Sequence, residues 1–568
     1  MTRKCVCLLA VVVMVLCATS VRAASPQPAW ARHVMVASAD PAATRVGVEV
    51  LRRGGNAVDA AAAVALALGV TEGYASGIGG GCFILIRMAD GATAAIDGRE
   101  TAPAKAARLM FVPRDTTQTS DLSTAGVLAA AVPGELAALD LAVRTYGVLP
   151  FGDLLEGAIS LADTGFVINM RYARQLETTA ELLRRFEGTR AVLLKPDGTM
   201  LGFEDRLVQH DLAQTLRRVQ SEGVEAFYSG DIPQAVEQYV SREGGVLNAN
   251  DFADYRPLVR EPVRGSYRGY EIISMPPPSS GGVHVIEILN LIEPFDLKSL
   301  GAGSSAEIHL VAEAMQIAFA DRAHYLGDPD FTVVPTEGLL SKEYAADRRA
   351  HINPLLHEHL AAAGDPAAFE SKGRERGHTT HLCVVDSFGN AVALTATINT
   401  TFGCGVIVPG TGFFLNNEMD DFVTWPGRAN YFGLVGNAAN EVEPGKRPLS
   451  SMSPTILIRD GKPFMLIGSM GGPKIITSVV LSIINMLDFG MTIQEAIDFP
   501  RFHQQWVPDQ LVLEPENPFD VQAALRDRGH RVEIVARGSA ATGIVADSVH
   551  GGWWGAADSR VTGLAAGF

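Results

Sequence analysis

Apolar positions change their period several times along this chain. Asp40-Pro41 reads as an N-cap followed by proline at the first helical position, and Gly54-Gly55 ends that helix. Asn56 caps a second, alanine-rich helix through about Leu68. This helix is apolar almost all round, which predicts burial. Gly77-Ile78-Gly79-Gly80-Gly81 then leads into Cys82-Phe83-Ile84-Leu85-Ile86, a strand. The glycine run lacks the GK[ST] ending of a phosphate loop and precedes a strand rather than a helix, so close backbone packing explains it better. From about 130 to 250 the apolar spacing is mostly helical. Near 255 the texture changes: Tyr267 to Ile273 is strand-like, and Met275-Pro276-Pro277-Pro278-Ser279-Ser280-Gly281-Gly282 is a rigid turn before another apolar helix. Residues 361–378 carry few large apolar groups and many charges, which predicts an exposed, mobile connection. The chain beyond is abruptly β-rich, so a boundary falls near residue 378.

After that boundary, Thr379–Val385 and Ala391–Thr397 flank Asp386-Ser387-Phe388-Gly389-Asn390, which has the glycine and Asx chemistry of a hairpin loop. With the turn centred on Phe388, Thr379 lies opposite Thr397. A cross-strand threonine pair is by itself ordinary β packing. His378 and His381 are three apart and face opposite sides of a strand, which argues against a metal pair. There is no HExxH and no GxSxG elbow, so metalloprotease and α/β-hydrolase readings are weak. Further on, Glu418, Asp420 and Asp421 sit between Leu415 and Phe422, a charged turn with partial burial. Lys446 to Pro454 leads into the strand Thr455–Ile458. Leu466 to Pro473 ends a strand in Gly471-Gly472 just before a helix near Lys474. Such a junction is either a tight turn or an anion site made of free backbone N–H groups.

Composition narrows the class. The chain has 568 residues, 47% hydrophobic and 19% charged, enough for a large core and incompatible with bulk disorder. With 63 Asp+Glu against 47 Lys+Arg the formal charge is −16, which argues against a nucleic-acid partner. Arg3 and Lys4 precede an apolar run from Cys5 to Ala18, and Val21-Arg22-Ala23-Ala24 follows, the pattern of a secretory signal cut after Ala23. The run is shorter than the ~20 residues of a spanning helix, so no membrane association is expected once residues 1–23 are removed. Loss of Arg3, Lys4 and Arg22 takes the formal charge of −16 to −19. Of the six cysteines, Cys5, Cys7 and Cys17 leave with the signal. Cys82, Cys383 and Cys404 remain, widely spaced, with no disulfide framework and no CxxC pair.

Together, Gly77–Ile86, Asp97-Gly98-Arg99-Glu100, the proline-rich turn, the Thr379 hairpin, Asn416–Phe422, Pro448–Pro454 and Gly468–Gly472 closely resemble gamma-glutamyltransferase, an N-terminal-nucleophile hydrolase. The resemblance covers nearly the whole chain after the signal. It implies a mixed α/β (α+β type) fold, an αββα sandwich built jointly from two subunits of one exported, periplasmic or secreted precursor. The expected division is signal 1–23, large subunit 24–378 and small subunit 379–568, with self-cleavage between His378 and Thr379. No cofactor and no metal are expected.

The resemblance also implies roles. Thr379 is the nucleophile, and its own α-amine, with an ordinary pKa of ~7.7–8.0, is the base. Thr397 orients it, and the Gly471 and Gly472 amides form the oxyanion hole. Arg99, Ser450 and Ser451 receive the α-carboxylate of the γ-glutamyl group, and Asn399, Glu418 and Asp421 its α-ammonium. Thr397, Gly471 and Gly472 also line the substrate. The implied donors are glutathione and related γ-glutamyl compounds, and the acceptors are water, amino acids or dipeptides. Residues 424–447 correspond to a lid, with Phe432, beside Tyr431, where many bacterial members carry tyrosine. Two other readings are a cephalosporin (glutaryl or adipyl) acylase, against which Asp421 argues, and an uncleaved binding protein, against which Thr379, Thr397 and Gly471-Gly472 argue.

Overall fold

Two side-chain caps start the first two helices of the described chain. Asp40 accepts the Ala42 and Ala43 amides at 2.8 and 3.1 Å and starts the helix Pro41–Arg52. Asn56 and Asp59 form a reciprocal capping box that starts Ala57–Thr71, a helix that runs past Leu68 and is buried on nearly every side. The computed structural model describes residues 26–113, 115, 120–360, 362–369, 380–425 and 427–568. The expected signal 1–23, His378 and Thr379 lie outside the described residues.

The strands form two seven-stranded sheets. The first runs Leu564–Gly567, Met35–Ser38, His381–Val385, Ala391–Thr397, Gly81–Arg87, Thr93–Gly98 and Leu258–Arg260. The second runs Ala29–Ala31, Trp553–Ala557, Ala540–Ala546, Lys462–Met470, Thr455–Arg459, Tyr270–Ser274 and Val263–Tyr267. All pairings within them are antiparallel.

Three apolar cores define four layers. Phe83, Leu85, Cys383, Val385, Ile456, Leu466 and Ile544 fill the space between the sheets. Ile84, Leu382, Val384, Val392 and Leu394 face the helix Ala57–Thr71 and its neighbours. Leu457, Ile467 and Ala541 face the helices Ser280–Ile292, Ser305–Tyr325 and Lys474–Leu487. This is a helix–sheet–sheet–helix stack. Central strands covered on both faces have no solvent side to mark with polar residues, so they read as unbroken apolar runs. Each buried Leu, Ile or Val contributes about 1.5–3 kcal/mol.

The central hairpin has the expected register, with His381 opposite Thr395 and Val385 opposite Ala391. Asp386 accepts the amides of Phe388, Gly389 and Asn390 at 2.9–3.0 Å and closes the loop. Thr380 and Ala396 extend the ladder by exchanging backbone hydrogen bonds.

Two expectations change. The strand-like stretch Tyr267–Ile273 is a hairpin, Val263–Tyr267 with Tyr270–Ser274, turned at Arg268 and Gly269, both at positive φ (50° and 84°). An arginine in that turn position disguised it, since Asn or Gly is usual there. The beginning of the predicted mobile connection is also tied down, because Gly364 donates to Asp321 at 2.8 Å and accepts from the Tyr325 hydroxyl at 2.6 Å. Residues 370–378 lie outside the described residues. Among the described residues no helix is long and apolar enough to cross a membrane.

Candidate active site

The site residues stand where the Gly81–Arg87, Thr93–Gly98 and Ala391–Thr397 strands end. Thr397 pairs with Gly81 across the sheet. The glycine run permits this approach: a Cβ on Gly80 would collide with the Thr397 carbonyl, and one on Gly79 with the Phe414 carbonyl. Close packing is therefore what these glycines do. Thr397 Oγ1 accepts the Asn399 amide at 2.7 Å, and Asn399 holds a positive φ of 73°. Asn399 donates through Nδ2 to the Asn417 carbonyl at 2.9 Å.

Asn416 is a hub that sequence reasoning missed. It accepts the Ala131 and Glu418 amides, both at 3.0 Å, and donates to the carbonyls of Gly79 and Ala131, both at 2.9 Å. It thereby binds the glycine run to the short helical turn Glu418–Asp421. That turn is fully buried, deeper than a charged loop suggests.

Arg99, at the end of the Thr93–Gly98 strand, lies in the middle of these acids with no exposed surface. Its guanidinium pairs with Glu418, with Asp421 at 2.8 Å and with Glu100 at 3.5 Å. The adjacent Asp97 instead accepts the Arg99 backbone amide at 2.9 Å and pairs with Arg260 at 2.7 Å. Three carboxylates thus surround one guanidinium. Burial pushes Glu100 up to about 7 and pushes Glu418 and Asp421 upward as well, outweighing the attraction of Arg99. Glu100 and Glu418 are hydrogen-bonded to each other through their side chains, and among the described residues Asn399 Oδ1 and Ser450 Oγ are buried with no hydrogen-bond partner. Buried acid therefore outnumbers the one guanidinium that faces it.

Ser450 and Ser451 are also buried. The Ser450 carbonyl accepts from the Ser280 amide at 3.2 Å, from the Ser280 hydroxyl and from Arg322 at 3.3 Å, so the proline-rich turn and its helix hold this segment. Gly471 and Gly472 join the strand Lys462–Met470 to the helix Lys474–Leu487 at φ 126° and 59°. Their carbonyls accept the Lys474 and Ile475 amides at 3.2 and 3.0 Å. Among the described residues neither glycine N–H has an acceptor.

The 424–447 segment touches both groups. A Cβ on Gly472 would lie 2.7 Å from Phe432 Cδ1, so the phenyl ring covers this glycine. Asn430 Oδ1 accepts the Phe432 and Leu434 amides at 3.1 Å while its Nδ2 reaches Asp421 at 3.3 Å. Tyr431 is exposed. Arg322 and Asp421 line one cavity together with Asn430, Asn440 and Leu449. Neither Arg322, inside a helix, nor Asn430 has a local motif that could have marked it. Elsewhere, ligand atoms of His309, Glu313 and His530 lie within 4.8 Å of one another.

The family model for gamma-glutamyltranspeptidase matches residues 43–568. The chain is 44% identical to the glutathione hydrolase proenzyme of Escherichia coli K12, over 95% of this chain and 93% of that protein. It is 39% identical to the acylase ACY 1 proenzyme of Pseudomonas sp. SE83, over 94% of each. Among solved structures it is similar to the cephalosporin acylase of Bacillus halodurans, with a TM-score of 0.84 and 28% identity over 97% of this chain and 98% of that one. The family model and these relatives agree with the fold, and the chain belongs to the gamma-glutamyltranspeptidase family.

Proposed function

We propose that the chain is a gamma-glutamyltransferase that cleaves the γ-glutamyl bond of glutathione and related compounds and passes the acyl group to water, amino acids or short peptides. The observation that carries this is the surplus of buried acid: Glu100, Glu418 and Asp421 around Arg99 alone. In the free chain Arg99 stands in for the α-ammonium of a donor and the acids stand in for its α-carboxylate. A zwitterionic amino-acid end exchanges one set of pairs for another at no net charge. A glutaryl group brings no cation and leaves the acids unpaired, which disfavours acylase activity despite the acylases among the relatives.

Thr379 is the nucleophile in this reading. Its hydroxyl attacks the γ-carbonyl, its own α-amine takes the proton, and the Gly471 and Gly472 amides hold the tetrahedral oxygen. The departing amine receives the proton, leaving a γ-glutamyl ester on Thr379 that water or an acceptor amine then attacks. Thr397, whose strand is pinned by the hairpin register, orients the nucleophile. Arg99, Ser450 and Ser451 take the α-carboxylate, and Asn399, Glu418 and Asp421 the α-ammonium.

The free amine requires a cut between His378 and Thr379. It gives subunits 24–378 and 379–568 that stay together because each sheet interleaves strands from both sides of the cut. The name proenzyme carried by the E. coli relative supports this order of events. Export on residues 1–23 to the periplasm or medium completes the reading.

On a denaturing gel the purified protein should run as two bands and Thr379→Ala as one. Glutamate release from glutathione should be present only in the cleaved form, and glycylglycine should divert part of it to transfer product. A single uncleaved band with full glutamate release would overturn the proposed nucleophile, and release from glutaryl but not γ-glutamyl donors would overturn the substrate.

A further inference from the structure

Arg322 has no part in the roles above. It lies in the last turn of the helix Ser305–Tyr325 and is 3% exposed. Its hydrogen-bond acceptors are all neutral: Ser280 Oγ at 3.0 Å, the Ser450 carbonyl at 3.3 Å and Ser451 Oγ at 3.4 Å. Burial lowers its pKa to about 10, opposed by the charge of Asp421 across the cavity that both residues line. Arg99, by contrast, is already held by three carboxylates. To meet a substrate carboxylate, Arg99 must give up pairs it has, whereas Arg322 gives up none. A buried guanidinium with only neutral partners is costly, and an arriving anion relieves that cost.

We propose that Arg322 is a second cation of the α-amino-acid subsite, which clamps the Ser450–Ser451 segment and directs its positive charge at the α-carboxylate of the γ-glutamyl donor. It acts as a positioning and affinity-setting residue. Asp421, which lines the same cavity as Arg322 and the exposed Arg428, supplies the opposite charge, so the two ends of the zwitterion meet groups of opposite sign. This rests on the γ-glutamyl reading above and adds to it a residue outside the segments that carry the family resemblance, on a helix of the second sheet's outer layer.

The test compares wild type, Arg322→Lys and Arg322→Gln on L-γ-glutamyl-p-nitroanilide, with L-glutamate and 4-aminobutanoate as competitive inhibitors. The second inhibitor keeps the amine and lacks the α-carboxylate. Removing hydrogen bonds to a charged group should raise KM about 10- to 100-fold in Arg322→Gln, with kcat within about threefold, and less in Arg322→Lys. The inhibition constant of L-glutamate should rise in step, and that of 4-aminobutanoate should stay within about twofold. Added guanidinium should restore part of the affinity of Arg322→Gln. If the glutamine variant does not fold, the lysine variant carries the same comparison. Unchanged KM, or equal weakening of both inhibitors, overturns the inference while the wild type remains active. A wild type that does not turn over the donor overturns the γ-glutamyl reading and this inference with it.

Discussion

Two buried polar clusters in this molecule look alike in composition and differ in how their hydrogen bonds are met. In the Arg99 cluster, Asn399 Oδ1 and Ser450 Oγ have no hydrogen-bond partner among the described residues, and Glu100 and Glu418 must share a proton between them. In the His309 cluster nearly every group is answered within the chain. His309 Nε2 faces the Asn353 carbonyl at 2.8 Å and must donate there, so its Nδ1 accepts from His530 Nε2 at 2.8 Å. His357 faces Glu313 at 2.6 Å and Asp509 at 3.2 Å with its two ring nitrogens, both as donors, and these acids hold it protonated. Only His530 Nδ1 is left over, and burial keeps that ring neutral, its pKa near 3. Apart from His530 Nδ1, the ring nitrogens of this cluster are engaged in holding the 353–360 segment to the rest of the fold. Density of titratable groups does not by itself mark a binding site.

The comparison breaks most visibly at Asp421. Asp421→Asn should lower kcat/KM for a γ-glutamyl donor about 100-fold or more, because a charged partner is lost in a buried site, with little change in melting temperature. Glu313→Gln should do the reverse, lowering the melting temperature by a few degrees while kcat/KM stays within about threefold. If Glu313→Gln proves the more damaging to turnover, the second cluster is not merely structural.

A finer test uses pH. Glu100 is raised to about 7, above its ordinary value of 4.5, so the folded free protein holds that proton through this window. Its contribution to stability is fully present below about pH 4.5 and is lost as pH rises through about 7. An α-ammonium in the site favours the ionised form, so donor KM should fall several-fold between pH 6 and 8. Glu100→Gln should flatten the KM profile, while the melting temperature keeps a pH slope from Asp321, Glu135, Glu287 and Glu307, which burial raises into the same range; a wild-type KM already flat in this range would remove Glu100 from the site. The smallest effect is expected at Phe432, which covers Gly472 without offering a hydroxyl. Phe432→Tyr should shift the ratio of transfer to hydrolysis less than about tenfold, measured as glycylglycine product against free glutamate.

Much of the scaffold was legible because it is encoded within a few residues. The Asp40 and Asn56 caps, the Asp386 loop and the register of His381 with Thr395 all follow from side chains bonding backbone two to four positions away. The Arg268–Gly269 turn was missed because propensity there contradicts the conformation adopted. The depth of the Glu418–Asp421 turn was missed because its burial comes from Asn416 and from layers that no local pattern describes.

By itself the sequence determined the hairpin that leads to Thr397, the glycine junction before Lys474 and, through resemblance, the layered α/β architecture and the residue types expected at the site. Only the tertiary structure decided how those residues are paired. Arg99 meets Glu418 and Asp421 across separations of 319 and 322 positions. Arg322 reaches Ser450 and Ser451 from a helix with no motif of its own. Caps and turns are decided by short-range sterics and hydrogen bonds that the local chain carries with it. Buried ion pairs depend on which charges the packed layers bring into the same dry space, and that is a property of the whole fold.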